Sequence, residues 1–325
     1  MQHLRTQHRA LALAASLVVA LGVVALAPTG SAGAQDSDVF PGGIARPADT
    51  TASRQASALA AAGRASDASV ARTIAARPSS VWLGDWLSSA SLRTTVDRHL
   101  AAARAQGATP VFVTYAIPER DCGSYSAGGL TPSAYGSWNR VLADTLAGHR
   151  AAVIVEPDAL AQSVSCPGAD RSTRLRLIRT AVHDLSAAGA AVYIDAGHEA
   201  WIAPATMAGL LRDAGIADAR GFSLNVSNHY ATSGERAYAE QLRARAGGHY
   251  VIDVSRNGRG ATGEWCNATR AGLGQDPTIV QDGTGLDALL WVKLPGESDG
   301  TCNGGPTAGT WFPAGAAALV RTARE

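Results

Sequence analysis

Long runs of one charge are missing from this sequence. Its 28 lysines and arginines nearly balance 27 aspartates and glutamates over 325 residues, and no basic run occurs past the first few. Nucleic-acid binders need a basic stripe that displaces counterions, so that class is set aside and a neutral ligand is expected. Also missing are a G-x-G-x-x-G after an apolar strand and a P-loop, so nucleotide-binding α/β folds lose support and no cofactor is expected. Cysteine is scarce, four in all and never as C-x-x-C, which argues against a zinc knuckle. Long apolar runs are confined to Leu11–Ala27, preceded by Arg5 and Arg9 and followed by Ala32-Gly-Ala34. That order reads as a secretory signal peptide over residues 1–34, cleaved before Gln35. Residues 35–325 are then expected to form one extracellular domain, with no membrane segment after leader removal. Export makes disulfides the natural state of Cys122, Cys166, Cys266 and Cys302. Three pairings are open, and the in-order one would join loops that are neighbours along the chain.

What is present is a repeated grammar of short apolar runs ending in acids. Ala151-Ala-Val-Ile-Val-Glu-Pro-Asp158 lacks period-2 alternation, as a strand buried on both faces does, and Pro157 stops it. The same pattern runs from Val111 to Asp121 and from Ala191 to Asp195. Three neighbouring strands thus end in Asp121, Asp158 and Asp195, at the carboxyl edge where α/β folds place their chemistry.

The period is near forty residues. Strands are expected at 80–86, 111–117, 152–156, 191–195, 221–227, 249–255 and 288–294. Helices are expected at 57–77, 94–105, from Thr131-Pro132, and at 169–188, 204–214, 234–246 and 313–324. Such alternation means βαβ units and a parallel sheet. About seven strands suit a TIM-like (β/α) barrel better than an open doubly wound sheet.

Each expected strand end carries polar groups: Asp85, Arg120 with Asp121, Glu156 with Asp158, Asp195 with His198, Asn225 with Asn228, Asp253 with Arg256, and Lys293 with Glu297 and Asp299. For any one such acid, capping of the next helix is a sufficient explanation. A whole ring of them raises the pKa of some members while others stay ionised, the division of labour that an acid–base pair needs. Two carboxyl groups flanking an acetal oxygen are the requirement for glycoside hydrolysis. Trp82, Trp201, Trp265 and Trp311 stand in loops or at strand edges beside this ring, where an indole face can take the C–H face of a sugar; Trp138 and Trp291 read as core. Asp195-x-x-His198-Glu199 lacks a second histidine, so no metal is expected there.

Two segments, Tyr115-Ala-Ile-Pro-Glu-Arg-Asp-Cys122 and Val153-Ile-Val-Glu-Pro-Asp-Ala-Leu160, resemble the signatures of the glycoside hydrolase family six cellulases. The likeness continues in order through Asp195–Trp201, Asn225–Asn228, Asp253–Gly258, Glu264-Trp-Cys266 and Trp291–Gly300. It implies a distorted parallel β/α barrel that hydrolyses β-1,4-glucan with inversion, and disulfides Cys122–Cys166 and Cys266–Cys302. Matched by motif, Asp158 is the proton donor, Asp121 the carboxylate that tunes it and manages the water, and Asp299 the candidate base. Tyr115, Trp82, Asp195, His198, Trp201, Asn225, Trp265, Lys293 and Glu297 are the implied substrate-binding residues.

In the family this sequence resembles, enzymes that work from chain ends roof the cleft with two long loops, so the compact segment between Cys266 and Cys302 and the lack of a long insertion after Asp121 imply by that resemblance an open cleft and an endoglucanase rather than a cellobiohydrolase. The absence of a Ser/Pro/Thr linker and of a separate cellulose-binding module favours soluble or amorphous glucan. The expected partner is a β-1,4-glucan or cellooligosaccharide bound by a monomer. Two rivals are a catalytically silent carbohydrate-binding barrel and a retaining hydrolase on a similar barrel, whose carboxyl groups stand closer together.

Overall fold

The structure is a computed structural model and describes residues 38–168 and 170–323. The expected signal peptide lies outside the described residues, as does the last residue of the expected final helix. One sheet holds β1 (Val81–Gly84), β2 (Val111–Tyr115), β3 (Ala152–Val155), β4 (Ala191–Asp195), β5 (Gly221–Leu224), β6 (His249–Asp253), β7 (Thr278–Ile279) and β8 (Leu286–Leu290), in the order 1-2-3-4-5-6-8-7. All pairings are parallel except that of β7 with β8. Around them lie α1 (Thr51–Ala61), α2 (Ala65–Ala75), α3 (Ser89–Gln106), α4 (Pro132–Leu146), α5 (Ala159–Ser165), α6 (Arg171–Ala187), α7 (Pro204–Asp213), α8 (Thr232–Ala246) and α9 (Pro313–Arg321).

Alternate residues of each strand enter different cores, which is why the runs are apolar throughout. Val111, Val113, Ala152, Ile154, Tyr193, Val251, Ala288 and Leu290 meet one another inside the curled sheet. Phe112, Val153, Val155, Val192, Ile194, Tyr250 and Ile252 face the helices instead. A single slip of register would exchange the two sets, so register is strongly specified. At the amino ends of the strands the interior is closed by Phe40, which packs with the inner set. Its segment is pinned by Ala45 N–H to Thr109 O and Thr109 N–H to Gly43 O, each 2.9 Å. The sheet's other gap lies between β1 and β8. There, among the described residues, Ser80 N–H to Trp291 O (3.0 Å) and Trp82 Nε1–H to Val292 O (2.8 Å) bridge the seam.

Local departures from the sequence reading have local causes. The single helix expected over 57–77 is two, because Gly63 turns left-handed (φ 72°) and ends the first. That helix also starts earlier, where Thr50 and Ser53 form a reciprocal capping box. The strand expected to reach residue 227 stops at Leu224, since Asn225 and Ser227 take φ of 63° and 62°. The turn α5 and the two-residue β7 have too few residues to show a period.

Candidate active site

Strand-end acids fall into two groups that look alike in sequence. Glu156, Asp195 and Asp253 are each 1% exposed and stitch neighbouring strands together. Glu156 accepts the N–H groups of Ala116 and Ile117 beyond β2. Asp195 Oδ2 accepts Asp158 N–H (2.9 Å) and Gly197 N–H (3.1 Å), while Oδ1 accepts the Ser223 hydroxyl (3.0 Å). Asp253 accepts the N–H groups of Ser255, Ser227, Val292 and Lys293, joining the ends of β5, β6 and β8.

Asp121, Asp158 and Asp299 face open space instead. All three line a cavity of about 710 Å³ along the β1–β8 seam. Asp121 and Asp158 also line a neighbouring hollow of about 480 Å³ that holds His198 and Trp201. Trp265 belongs to both, so the two hollows make one trench with Asp121 and Asp158 at the junction. Asp158 occupies the N-cap position of α5 but makes no capping bond, and its left-handed backbone (φ 71°) carries the side chain elsewhere. Helix capping therefore does not account for this acid.

The electrostatics divide the trench acids. Burial, and then the nearby Asp195 and Asp121, push the Asp158 carboxyl well above its ordinary range. Burial also raises Asp121, despite the Ser126 N–H bonded to it at 2.7 Å. Asp299 goes the other way. Burial opposes its charge, but Arg256 Nη1 at 2.7 Å and Lys293 Nζ at 3.1 Å outweigh that and hold it well below the usual carboxylate range. Lys293 is the only lysine in the chain. The trench thus contains an acid that keeps its proton and another that has lost it. Tyr115 meets Trp82 edge to face, with centroids 5.1 Å apart, and burial raises its phenol far above the ordinary value. His198 stacks on Tyr230 at 4.3 Å and is pushed by burial to about 4, so it is neutral in mild acid.

The backbone that presents these acids is held from behind. The pairs Cys122–Cys166 and Cys266–Cys302 are both formed, the first joining the loop of Asp121 to the end of α5. Arg174 of α6, 4% exposed, donates to Glu119 O at 3.0 Å, with Pro118 O at 3.4 Å and Ala159 O at 3.5 Å, and so touches both acid-bearing loops. Arg120 bonds Asp85 at 2.6 Å and lies over the Tyr115 ring at 4.5 Å.

Of the residues expected at the site, Tyr115, Trp82, Trp265, Lys293 and Glu297 line the larger hollow, and His198 and Trp201 the smaller. Two stand behind the wall rather than in it. Asp195 is the stitch described above. Asn225, wholly buried, gives its amide to Tyr230 O and Asp253 O and accepts Tyr230 N–H, so the expectation of substrate contact at Asn225 is corrected. Trp311 is corrected too: it is 9% exposed and packs in the outer core. The sequence reading missed Trp86 and Tyr125, both exposed on the larger hollow. It named Arg256 in the polar ring, three residues past an acid-tipped strand, but gave it no role of its own.

A parallel barrel whose carboxyl rim bears acids of opposed pKa in an aromatic-walled trench belongs to the glycoside hydrolase class. Comparison narrows this. The family described as "Glycosyl hydrolases family 6" matches residues 43–323. Endoglucanase A of Cellulomonas fimi is 46% identical over 264 residues, 81% of this chain and 58% of that protein. Endoglucanase 1 of Streptomyces halstedii is 39% identical over 302 residues, 89% of this chain and 92% of that protein. Among solved structures, the endoglucanase Cel6 from Mycobacterium tuberculosis, in complex with methyl-cellobiosyl-4-deoxy-4-thio-β-D-cellobioside, superposes with a TM-score of 0.75 at 44% identity. That match covers 78% of this chain and 89% of that one. The chain belongs to glycosyl hydrolase family 6.

Proposed function

We propose that the protein is an inverting endo-β-1,4-glucanase that cleaves internal bonds of cellulose or soluble β-glucan. The observation that carries this reading is the opposition between Asp158, held protonated, and Asp299, held ionised, on the wall of one trench. Asp158 delivers its proton to the glycosidic oxygen as the bond to the anomeric carbon breaks. Asp121, beside it, keeps the donor's pKa high and orients water. Asp299 is the base toward which the attacking water's proton moves, and Arg256 and Lys293 hold its charge in place. Substrate ring contacts fall to Tyr115, Trp82 and Trp265 on one side and to His198 and Trp201 on the other. Glu297 and Lys293 are expected to meet hydroxyl groups.

A trench with two open hollows, 710 and 480 Å³, supports cutting within a chain rather than threading from an end. We infer that residues 35–325 work as one catalytic domain, as a monomer outside the cell. Two formed disulfides suit an oxidising compartment, and no helix among the described residues is long and apolar enough to cross a membrane. The test is viscosity against reducing ends on carboxymethylcellulose. Internal cutting collapses viscosity while few ends have appeared. A slow viscosity fall in step with released cellobiose would point to the cellobiohydrolase reading, and no release at all to a silent binding barrel.

A further inference from the structure

We propose that Trp86 is an additional glucosyl-binding platform and sets a preference for longer chains; the proposal rests on the β-glucan reading above. At 56% exposure Trp86 is the most exposed large hydrophobic side chain among the described residues. The next two, Trp265 and Tyr125, line the same hollow. Exposed apolar surface gathered in one groove marks a binding surface rather than incidental exposure.

Trp86 is exposed yet held. It sits in the tight turn closed by Leu87 N–H to Gly84 O at 3.0 Å. Its neighbour Asp85 is locked by Arg120 (2.6 Å) and by Gly129 N–H (2.8 Å). The indole lies so close over Gly84 that a Cβ there would come within 2.1 Å of the ring, so only glycine admits this pose. An indole fixed in this way loses little freedom when a ligand covers it.

The position and charge fit a sugar. Arg120 lies between two rings, 4.5 Å from Tyr115 and 5.7 Å from Trp86, so Trp86 continues the aromatic wall one step past Tyr115. Tyr115 in turn lines the same hollow as Asp158. Because Asp85 neutralises Arg120, the surface offers a ring face without surplus charge. A neutral ligand with an apolar C–H face and polar edges matches it.

The experiment compares wild type, Trp86→Ala and Trp86→Phe on cellotetraose, cellopentaose and cellohexaose, with thermal melts of each. Covering about a third of an indole amounts to roughly 55 Å² of apolar area, or about a tenfold change in affinity. Trp86→Ala should therefore lose about tenfold in kcat/KM on cellohexaose, mainly in KM, with a loss that shrinks as the chain shortens. Trp86→Phe should recover most of it. An equal loss at every length, or none at any length, overturns the platform. If wild type cuts none of these sugars, the function reading falls, and calorimetric cellohexaose binding by wild type and Trp86→Ala then decides the platform alone: equal affinities refute it.

Discussion

Replacing Asp195 with Asn separates the charge of that residue from its geometry. One amide oxygen has lone pairs for both Asp158 N–H and Gly197 N–H, and the amide NH₂ can face the Ser223 hydroxyl, so the three bonds survive. What is lost is a negative charge beside Asp158. If the two charges are taken as about 5 Å apart in an effective dielectric of about 20, that charge is worth about 3 kcal/mol, or about two pK units. Burial raises Asp195 to about 7, so its charge is present in the range where the donor finally deprotonates. Asp195→Asn should move the alkaline limb of kcat/KM on carboxymethylcellulose down by about one to two pH units while activity in mild acid persists. Stability should change as well. A carboxyl whose folded pKa exceeds its unfolded value binds protons more tightly when folded, so it removes stability as pH rises from about 4 to 7. The variant should lose that part of the slope in denaturant titrations. Asp195→Ala has the same charge change but orphans two buried amides, at about 1–3 kcal/mol each. An alkaline limb that stays in place or moves upward in Asp195→Asn would refute the proposed coupling of Asp195 to the donor.

Lys293→Met should raise the acidic limb of the pH profile, because Asp299 loses a cation 3.1 Å away and its pKa rises; an unmoved limb would separate Asp299 from the rate. Arg174→Met should cost about 2–3 kcal/mol in denaturant unfolding, since the Glu119 carbonyl loses a buried charged donor. It should also lower kcat more than it raises KM, and Arg174→Lys should restore part of both. Replacing Cys266 and Cys302 with Ala frees a 36-residue separation, worth up to about 4 kcal/mol by loop entropy. Because Trp265 adjoins that bond, activity should be lost at lower denaturant than far-UV ellipticity, and coincident midpoints would contradict this.

Strand placement was legible because residues buried on both faces leave uninterrupted apolar runs, and the acids at their ends were legible because Pro157 and Pro118 mark where each run stops. The sorting of those acids was not. Asp158 and Asp195 follow β-runs of the same kind, yet one faces the trench and the other accepts Asp158's own N–H, a choice made by a neighbouring strand 37 residues away. The tryptophans divided for a similar reason. Trp311 folds over Gly296 into the outer core, whereas Trp86 folds over Gly84 and stays on the surface. Neither the expected strand end at Trp86 nor the expected loop at Trp311 foretells this, because the packing partner decides it. Asn225 sits in a motif that resembles a substrate-contact segment, but its left-handed backbone turns the amide onto two carbonyls.

Proton NMR of the first sugar released from cellohexaose tests the central claim most directly. Donor and base that act on opposite faces, with water between them, give the α-anomer first, followed by slow mutarotation. A β-anomer appearing first would mean a covalent intermediate, and would contradict the assignment of Asp158 and Asp299 as an inverting pair.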